Sequence, residues 1–141
     1  MRILAIDYGR KRMGLAISDP LGITAQPLCR IDVVSRKETV KNILKFVKER
    51  EVEEVVIGFP LCLDGTEGLA AKEVKDFVAI LSKELFVPVI LVDERLTSAF
   101  ANRLLIESGQ SGKKKRDKID VVAAQSILQS YLDSNPHISS R

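Results

Sequence analysis

Three carboxylates of this chain sit where a carboxylate is costly. Asp7 ends the apolar run Ile3-Leu4-Ala5-Ile6 and precedes Tyr8-Gly9. Glu94 closes the run Pro88-Val89-Ile90-Leu91-Val92-Asp93, and Asp120 opens an apolar helical pattern that ends near Leu132. An uncompensated charge at the end of a buried element is expensive. Far apart in sequence, each at an element end, the three acids can converge on one cation site. Hard oxygen ligands favour Mg2+ or Mn2+, and the chain offers no His/Cys set for zinc. Two such ions about 4 Å apart can activate water and stabilise the leaving oxygen of a phosphodiester. That chemistry needs carboxylates in a cationic surround and no histidine. The single histidine, His137, lies in the polar tail 135–141, which is expected to fray.

Each acid also has a plainer role open to it. Asp7 could receive backbone hydrogen bonds from its own turn. Glu94 could pair with Arg95. Asp93 could be the ligand instead, because successive strand residues face opposite ways. Asp120 could serve only as a favourable charge in a helix's first turn, with Asp117 as the N-cap.

The cations lie beside these acids. Residues 10–12 read Arg10-Lys11-Arg12 and residues 113–116 read Lys113-Lys114-Lys115-Arg116. The net charge of +3 is too small by itself to imply nucleic acid, so the distribution matters more. The two clusters are read as phosphate contacts, with solvated loops as the plain alternative.

The elements that must hold these residues follow from periodicity. Residues 2–7 read as a central strand, apolar on both faces. Gly9 and Gly14 bracket a basic turn, and Met13 to Ser18 form a second strand before the turn Asp19-Pro20-Leu21-Gly22. Residues 24–31 give a third strand, which Pro27 pushes toward the sheet edge. Val40, Ile43, Leu44 and Val47 follow helical spacing, with Ser35 and Glu38 spaced as a capping box. Strands at 54–58 and 87–92 alternate with helices at about 68–85 and 98–108, which implies parallel pairing through right-handed crossovers. Gly109 fits the stop of the 98–108 helix. Gly109 to Lys118 reads as a flexible basic loop, and the last, largely covered helix follows it.

Length and composition bound the alternatives. A chain of 141 residues, 45% apolar and 29% charged, is about one soluble globular domain. Residues 1–134 are expected to form that domain. No run approaches the ~18 apolar residues of a membrane span, and the N-terminal apolar stretch is too short for a signal peptide. Cys29 and Cys62 show no metal or redox spacing and are read as reduced, buried thiols, which points to the cytoplasm. There is no P-loop and no G-x-G-x-x-G. The pattern D-x-G-x-x-x-x-G from Asp7 to Gly14 is shared by actin-like ATPases, sugar kinases and ribonuclease H-like nucleases. The first two need a second domain that this length cannot hold.

Four segments in order resemble the YqgF/RuvX family of ribonuclease H-like proteins. They are Asp7-Tyr8-Gly9-Arg10-Lys11-Arg12-Met13-Gly14; Gly58-Phe59-Pro60-Leu61 with Gly65; Asp93-Glu94-Arg95-Leu96-Thr97-Ser98; and Asp120-Val121-Val122-Ala123-Ala124-Gln125-Ser126-Ile127-Leu128-Gln129. The resemblance covers roughly residues 1–133. It implies an α/β, ribonuclease H-like five-stranded mixed sheet in the order 3-2-1-4-5, flanked by helices. Asp7, Glu94 and Asp120 would then be the metal-binding catalytic acids of a nuclease. Arg10, Lys11, Arg12, Lys113, Lys114, Lys115 and Arg116 would contact phosphates, and Arg95 would hold the scissile phosphate or orient Glu94. The family is described both as resolvases of Holliday junctions and as nucleases that mature the 5′ end of pre-16S ribosomal RNA. The expected partner is structured RNA or branched DNA, bound by a monomer or homodimer, with RNA processing favoured. A weakly catalytic nucleic-acid-binding module is the other reading. RuvC-type resolvases carry a further acid one turn along the last helix, where this chain has Ala123 and Ala124.

Overall fold

The computed structural model describes residues 1–62, 64–94 and 112–134, with the backbone alone for 112–119. Five strands form one sheet: β1 (Ile3–Asp7), β2 (Arg12–Ser18), β3 (Ala25–Asp32), β4 (Glu54–Phe59) and β5 (Val89–Asp93). Three helices accompany them: α1 (Arg36–Glu49), α2 (Leu69–Glu84) and α3 (Gly112–Ser134). The strand order is β3-β2-β1-β4-β5, as the family resemblance implies. β1 pairs antiparallel with β2 and parallel with β4, and β4 pairs parallel with β5. The expected helix at 98–108, its Gly109 stop, Arg95 and the tail 135–141 lie outside the described residues.

Side-chain alternation divides the sheet into two dry faces. On β1, Leu4 and Ile6 join a cluster with Met13, Leu15, Ile57, Val40, Ile43, Val74, Phe77 and Leu81, under α1 and α2. Ile3 and Ala5 point the other way and meet Ala16, Val56, Ala124, Ile127, Leu128 and Leu132, under α3. All four residues Ile3 to Ile6 are fully buried, the pattern of a central strand covered on both sides.

Local chemistry sets the element ends. Ser35 caps α1, its hydroxyl accepting from the Glu38 amide at 3.1 Å. β3 is an edge strand that pairs only with β2 in the described sheet, so Pro27 costs no central ladder bond. The register shifts between Leu15 and Ala16, opposite Cys29 and Pro27, and leaves Leu28 as the extra residue of a bulge. Asp19 tightens the β2–β3 turn. Its carboxylate accepts from the amides of Thr24 (2.7 Å), Ile23 (2.8 Å) and Leu21 (3.3 Å), and Gly22 takes the positive φ of 72°.

Two expectations need correction. The last helix begins at Gly112, so Lys113–Arg116 belong to its first turns rather than to a flexible loop. Lys and Arg are good helix formers, and charge density alone did not disclose this. Cys62 is exposed rather than buried, whereas Cys29 is half-buried and its thiol is pushed up by burial; both are free.

Candidate active site

The two-residue period of β1 places Asp7 on the face of Ile3 and Ala5, toward α3. On α3, Ala124, Ile127 and Leu128 face the sheet, and Asp120 lies four, seven and eight residues before them on that same stripe. Beyond β5, Glu94 keeps the parity of Ile90 and Val92, which pack on the α3 face. Asp93 has the parity of Val89, which packs on the opposite face. Of the neighbouring acids 93 and 94, it is therefore Glu94 that reaches Asp7.

Glycines make room for this convergence. Gly14 lies directly across from Asp7 in the β1–β2 ladder, inside the strand rather than in the turn. A Cβ there would overlap the backbone carbonyl of Asp120, so α3 seats its first covered turn on bare backbone. Gly58 on β4 plays the matching part. A Cβ at 58 would run into the Glu94 carboxylate and come within 2.6 Å of Ile127 Cδ1. The sequence marks both glycines, but only packing shows that each clears space for an acid.

The electrostatics reflect the crowding. Burial raises Asp7 from its ordinary 3.8 to about 8, with further upward pushes from the charge and hydrogen bond of Glu94 and from the charge of Asp120. Burial likewise raises Glu94, opposed by its hydrogen bond with Asp7 and assisted by the charge of Asp93. Asp7 and Glu94 thus behave as a carboxyl pair that keeps a proton between them. Asp120 stands further off and is approached by Arg12, whose Nε lies 3.5 Å from Oδ2. As placed, no three His, Cys, Asp or Glu side chains among the described residues close into a ready metal cage. The donor set nevertheless suits a hard divalent cation. A buried acid pair holding a proton, with a third acid acting on it, is relieved when that proton is exchanged for a cation.

The cations fall into distinct groups. Arg10 is mostly exposed but engaged: its Nε and Nη2 donate to the carboxylate of Glu73 on α2. Arg12 faces Asp120, and Lys11 is exposed. The side chains of Lys113, Lys114, Lys115 and Arg116, and Arg95 entirely, lie outside the described residues. Glu73 is a residue the sequence reading missed. Its helical spacing placed it on a polar face, and nothing in that pattern predicts a partner 63 residues away. A pocket of about 220 Å³ is lined by the exposed Arg10–Glu73 pair and by Glu94, together with Tyr8, Gly9, Gly58, Pro60, Ala70 and Val74.

A mixed sheet in this order, with acids at the end of the central strand, after β5 and on the last described helix, has the architecture of the ribonuclease H-like fold class. Comparison with known proteins supplies the family. The chain belongs to the RuvX family: a family model described as Holliday junction resolvase matches residues 1–134. A relative from Syntrophus aciditrophicus named "Putative pre-16S rRNA nuclease" is 46% identical over 134 residues, covering 95% of this chain and 89% of the relative. A Listeria innocua relative of the same name is 46% identical over 136 residues and is covered to 99%. The fold is shared with Thermus thermophilus RuvC in complex with Holliday junction substrate, at TM-score 0.61 and 14% identity, covering 97% of this chain and 96% of that one. It is also shared with the fowlpox virus resolvase bound to Holliday junction DNA, at TM-score 0.56 and 15% identity, covering 95% and 98%. The chain is accordingly a nuclease, a hydrolase of phosphodiester bonds. No described helix is long and apolar enough to cross a membrane.

Proposed function

We propose that this chain is a divalent-metal-dependent nuclease, that residues 1–134 are its catalytic domain, and that it trims the 5′ end of pre-16S ribosomal RNA in the cytoplasm. The observation that carries the metal-dependent mechanism is the mutual approach of Asp7, Glu94 and Asp120 from three separate elements. The RNA substrate rests on relatives at 41–46% identity that carry the pre-16S name.

In this reading Asp7, Glu94 and Asp120 hold Mg2+ or Mn2+, which when bound supplies an activated water and neutralises charge building on the phosphate. Arg12 orients Asp120 from the β2 side. Gly14 and Gly58 fix how closely Asp120 and Glu94 approach Asp7. Lys11, Lys113, Lys114, Lys115 and Arg116 steer the phosphate chain toward the acids, and Arg95 holds the scissile phosphate or orients Glu94. Arg10 joins them only to the extent that Glu73 leaves donors for a ligand.

A second reading is resolution of branched DNA, favoured by the description of the family model. A cleavage screen separates the two. Purified protein is incubated with pre-16S 5′-end RNA, a four-way DNA junction and single-stranded DNA, each with Mg2+, Mn2+ or EDTA. Metal-dependent cutting of the RNA in preference to the junction is expected. Preference for the junction, cut symmetrically, would establish the resolvase reading instead. Binding without cutting under any metal would leave a nucleic-acid-binding module.

A further inference from the structure

We infer that the pocket beside Glu94 is a subsite for a single nucleobase, from a nucleotide flanking the bond that is cut. The inference deepens the nuclease reading and rests on it. The pocket's volume of about 220 Å³ lies below the roughly 300–1,000 Å³ of sites for drug-sized ligands. One planar ring fits; a dinucleotide does not.

Its walls are chosen for a flat, largely apolar body. Tyr8, Pro60, Ala70 and Val74 supply apolar surface, and Gly9 and Gly58 narrow to bare backbone. Tyr8 is braced from behind by Phe77, with ring centroids 5.1 Å apart. Unstacked bases are commonly held against such surfaces and read along their hydrogen-bonding edges.

The polar groups point to a base rather than a phosphate. The lining carries Arg10 and Glu73 as an exposed, bonded pair, so their charges offset, and it also carries Glu94. A phosphate would meet two carboxylates for one guanidinium. A neutral base meets a donor and an acceptor side by side. Glu73 engages Nε and Nη2 of Arg10, and Nη1 donates to no group among the described residues. The pair thus offers Nη1 as donor and Glu73 as acceptor, both held in place before the ligand arrives. Glu73 is here a specificity residue and Ala70 forms the rim. The same geometry places the base next to Glu94, hence next to the reacting phosphate.

The test is an abasic scan. A single-stranded RNA spanning the pre-16S 5′ end is made with one base removed at each position in turn. Binding is measured in EDTA and cleavage in Mn2+, for wild type and for Ala70→Phe. Ala70 is exposed near the start of α2, so the larger ring can fill the pocket without entering the core; Ala70→Met is the milder companion should the first fail to fold. One flanking position is expected to cost wild-type binding about tenfold when its base is removed, the scale of one stacked base. Ala70→Phe should bind the intact RNA more weakly and show no further loss at that position. Glu73→Gln should change which base is preferred there. Equal sensitivity in wild type and the filled variant, or no sensitive flanking position at all, would overturn the subsite. Failure of every protein to cut would overturn the nuclease reading, and the binding scan would still judge the pocket.

Discussion

At the scale of single residues, Asp7 is the centre of the site because three influences act on it at once: burial, Glu94 and Asp120. Asp7→Asn keeps the shape and removes the charge that would hold a cation. Cleavage should fall by orders of magnitude while the melting temperature of the metal-free protein holds or rises; a variant that cuts like wild type would refute the acid site. The proton on Asp7 also makes stability depend on pH. The folded state keeps that proton up to about 8, whereas the unfolded chain releases it near 3.8. Its stabilising effect is therefore complete below about pH 4 and is lost as pH rises through about 8. Thermal melts in EDTA should show wild type losing stability across that window and Asp7→Asn losing much less. Protons and metal compete for the same oxygens, so the rise in melting temperature caused by Mn2+ should grow with pH over the same range. The chain positions of the three acids could be singled out in the sequence, since Asp7 and Glu94 close apolar runs and Asp120 opens an apolar helical pattern. The choice between Asp93 and Glu94 was not, because it depends on which face of β5 meets α3. Glu73 was not legible either, because its partner is brought to it only by the chain's crossover.

At the scale of elements, the decisive packing is that of α3 on the sheet. Gly14 and Gly58 let its backbone and the Glu94 carboxylate come close, while Gln125 and Gln129 fasten it to the start of β3. Gln129 Oε1 accepts from the Ala25 amide at 3.0 Å, its Nε2 donates to the Ile23 carbonyl at 3.2 Å, and Gln125 Nε2 donates to the Ala25 carbonyl at 3.4 Å. Gly14→Ala pushes a methyl into the Asp120 carbonyl and is expected to cost about 1–3 kcal/mol, the usual scale of overpacking. Because it also displaces Asp120, cleavage should drop with every acid still present; a variant with wild-type melting and activity would show that the helix has slack there. Ser35→Ala removes the α1 cap on the opposite face. A loss of about 1 kcal/mol in denaturant melts is expected, with turnover unchanged in the folded protein. The strands and the first two helices could be read from spacing to within a residue or two. The start of α3 could not, since glycines and a dense run of cations match a loop and the first turns of a helix equally well.

At the scale of the whole molecule, the sheet carries helices on both faces. α1 and α2 pack on one face, with α2 also lending Ala70, Glu73 and Val74 to the pocket, while α3 packs on the other and carries Asp120 toward Asp7. With Lys113–Arg116 in the first turns of α3, the cationic run approaches Asp120 along a helix rather than on a free arm. Changing all four to Ala should weaken binding of every sequence alike, because phosphate contacts carry no base information. For a single strand the log–log salt slope should flatten by about 0.7 for each phosphate that is no longer neutralised. Filter binding at several salt concentrations measures both effects, and unchanged affinity and slope would make these cations mere solvated charges. The strand order itself came from the resemblance; composition and periodicity alone yielded only an α/β domain with parallel crossovers.

The placement of Asp120 on α3 has a consequence in time. A ribosome makes Asp7 before Glu94, and Asp120 is the last of the three acids to be made. Until α3 has emerged and docked, the growing polypeptide lacks the third of the proposed ligand acids and the helix that packs against Ile3, Ala5, Ala16 and Val56. On the proposed acid site, the growing chain would therefore not cut before α3 is made, a consequence of the order of its residues alone. A chain ended after Ser111 should accordingly bind an apolar dye and cut nothing, and adding residues 112–134 as a separate peptide should quench the dye and restore cutting together.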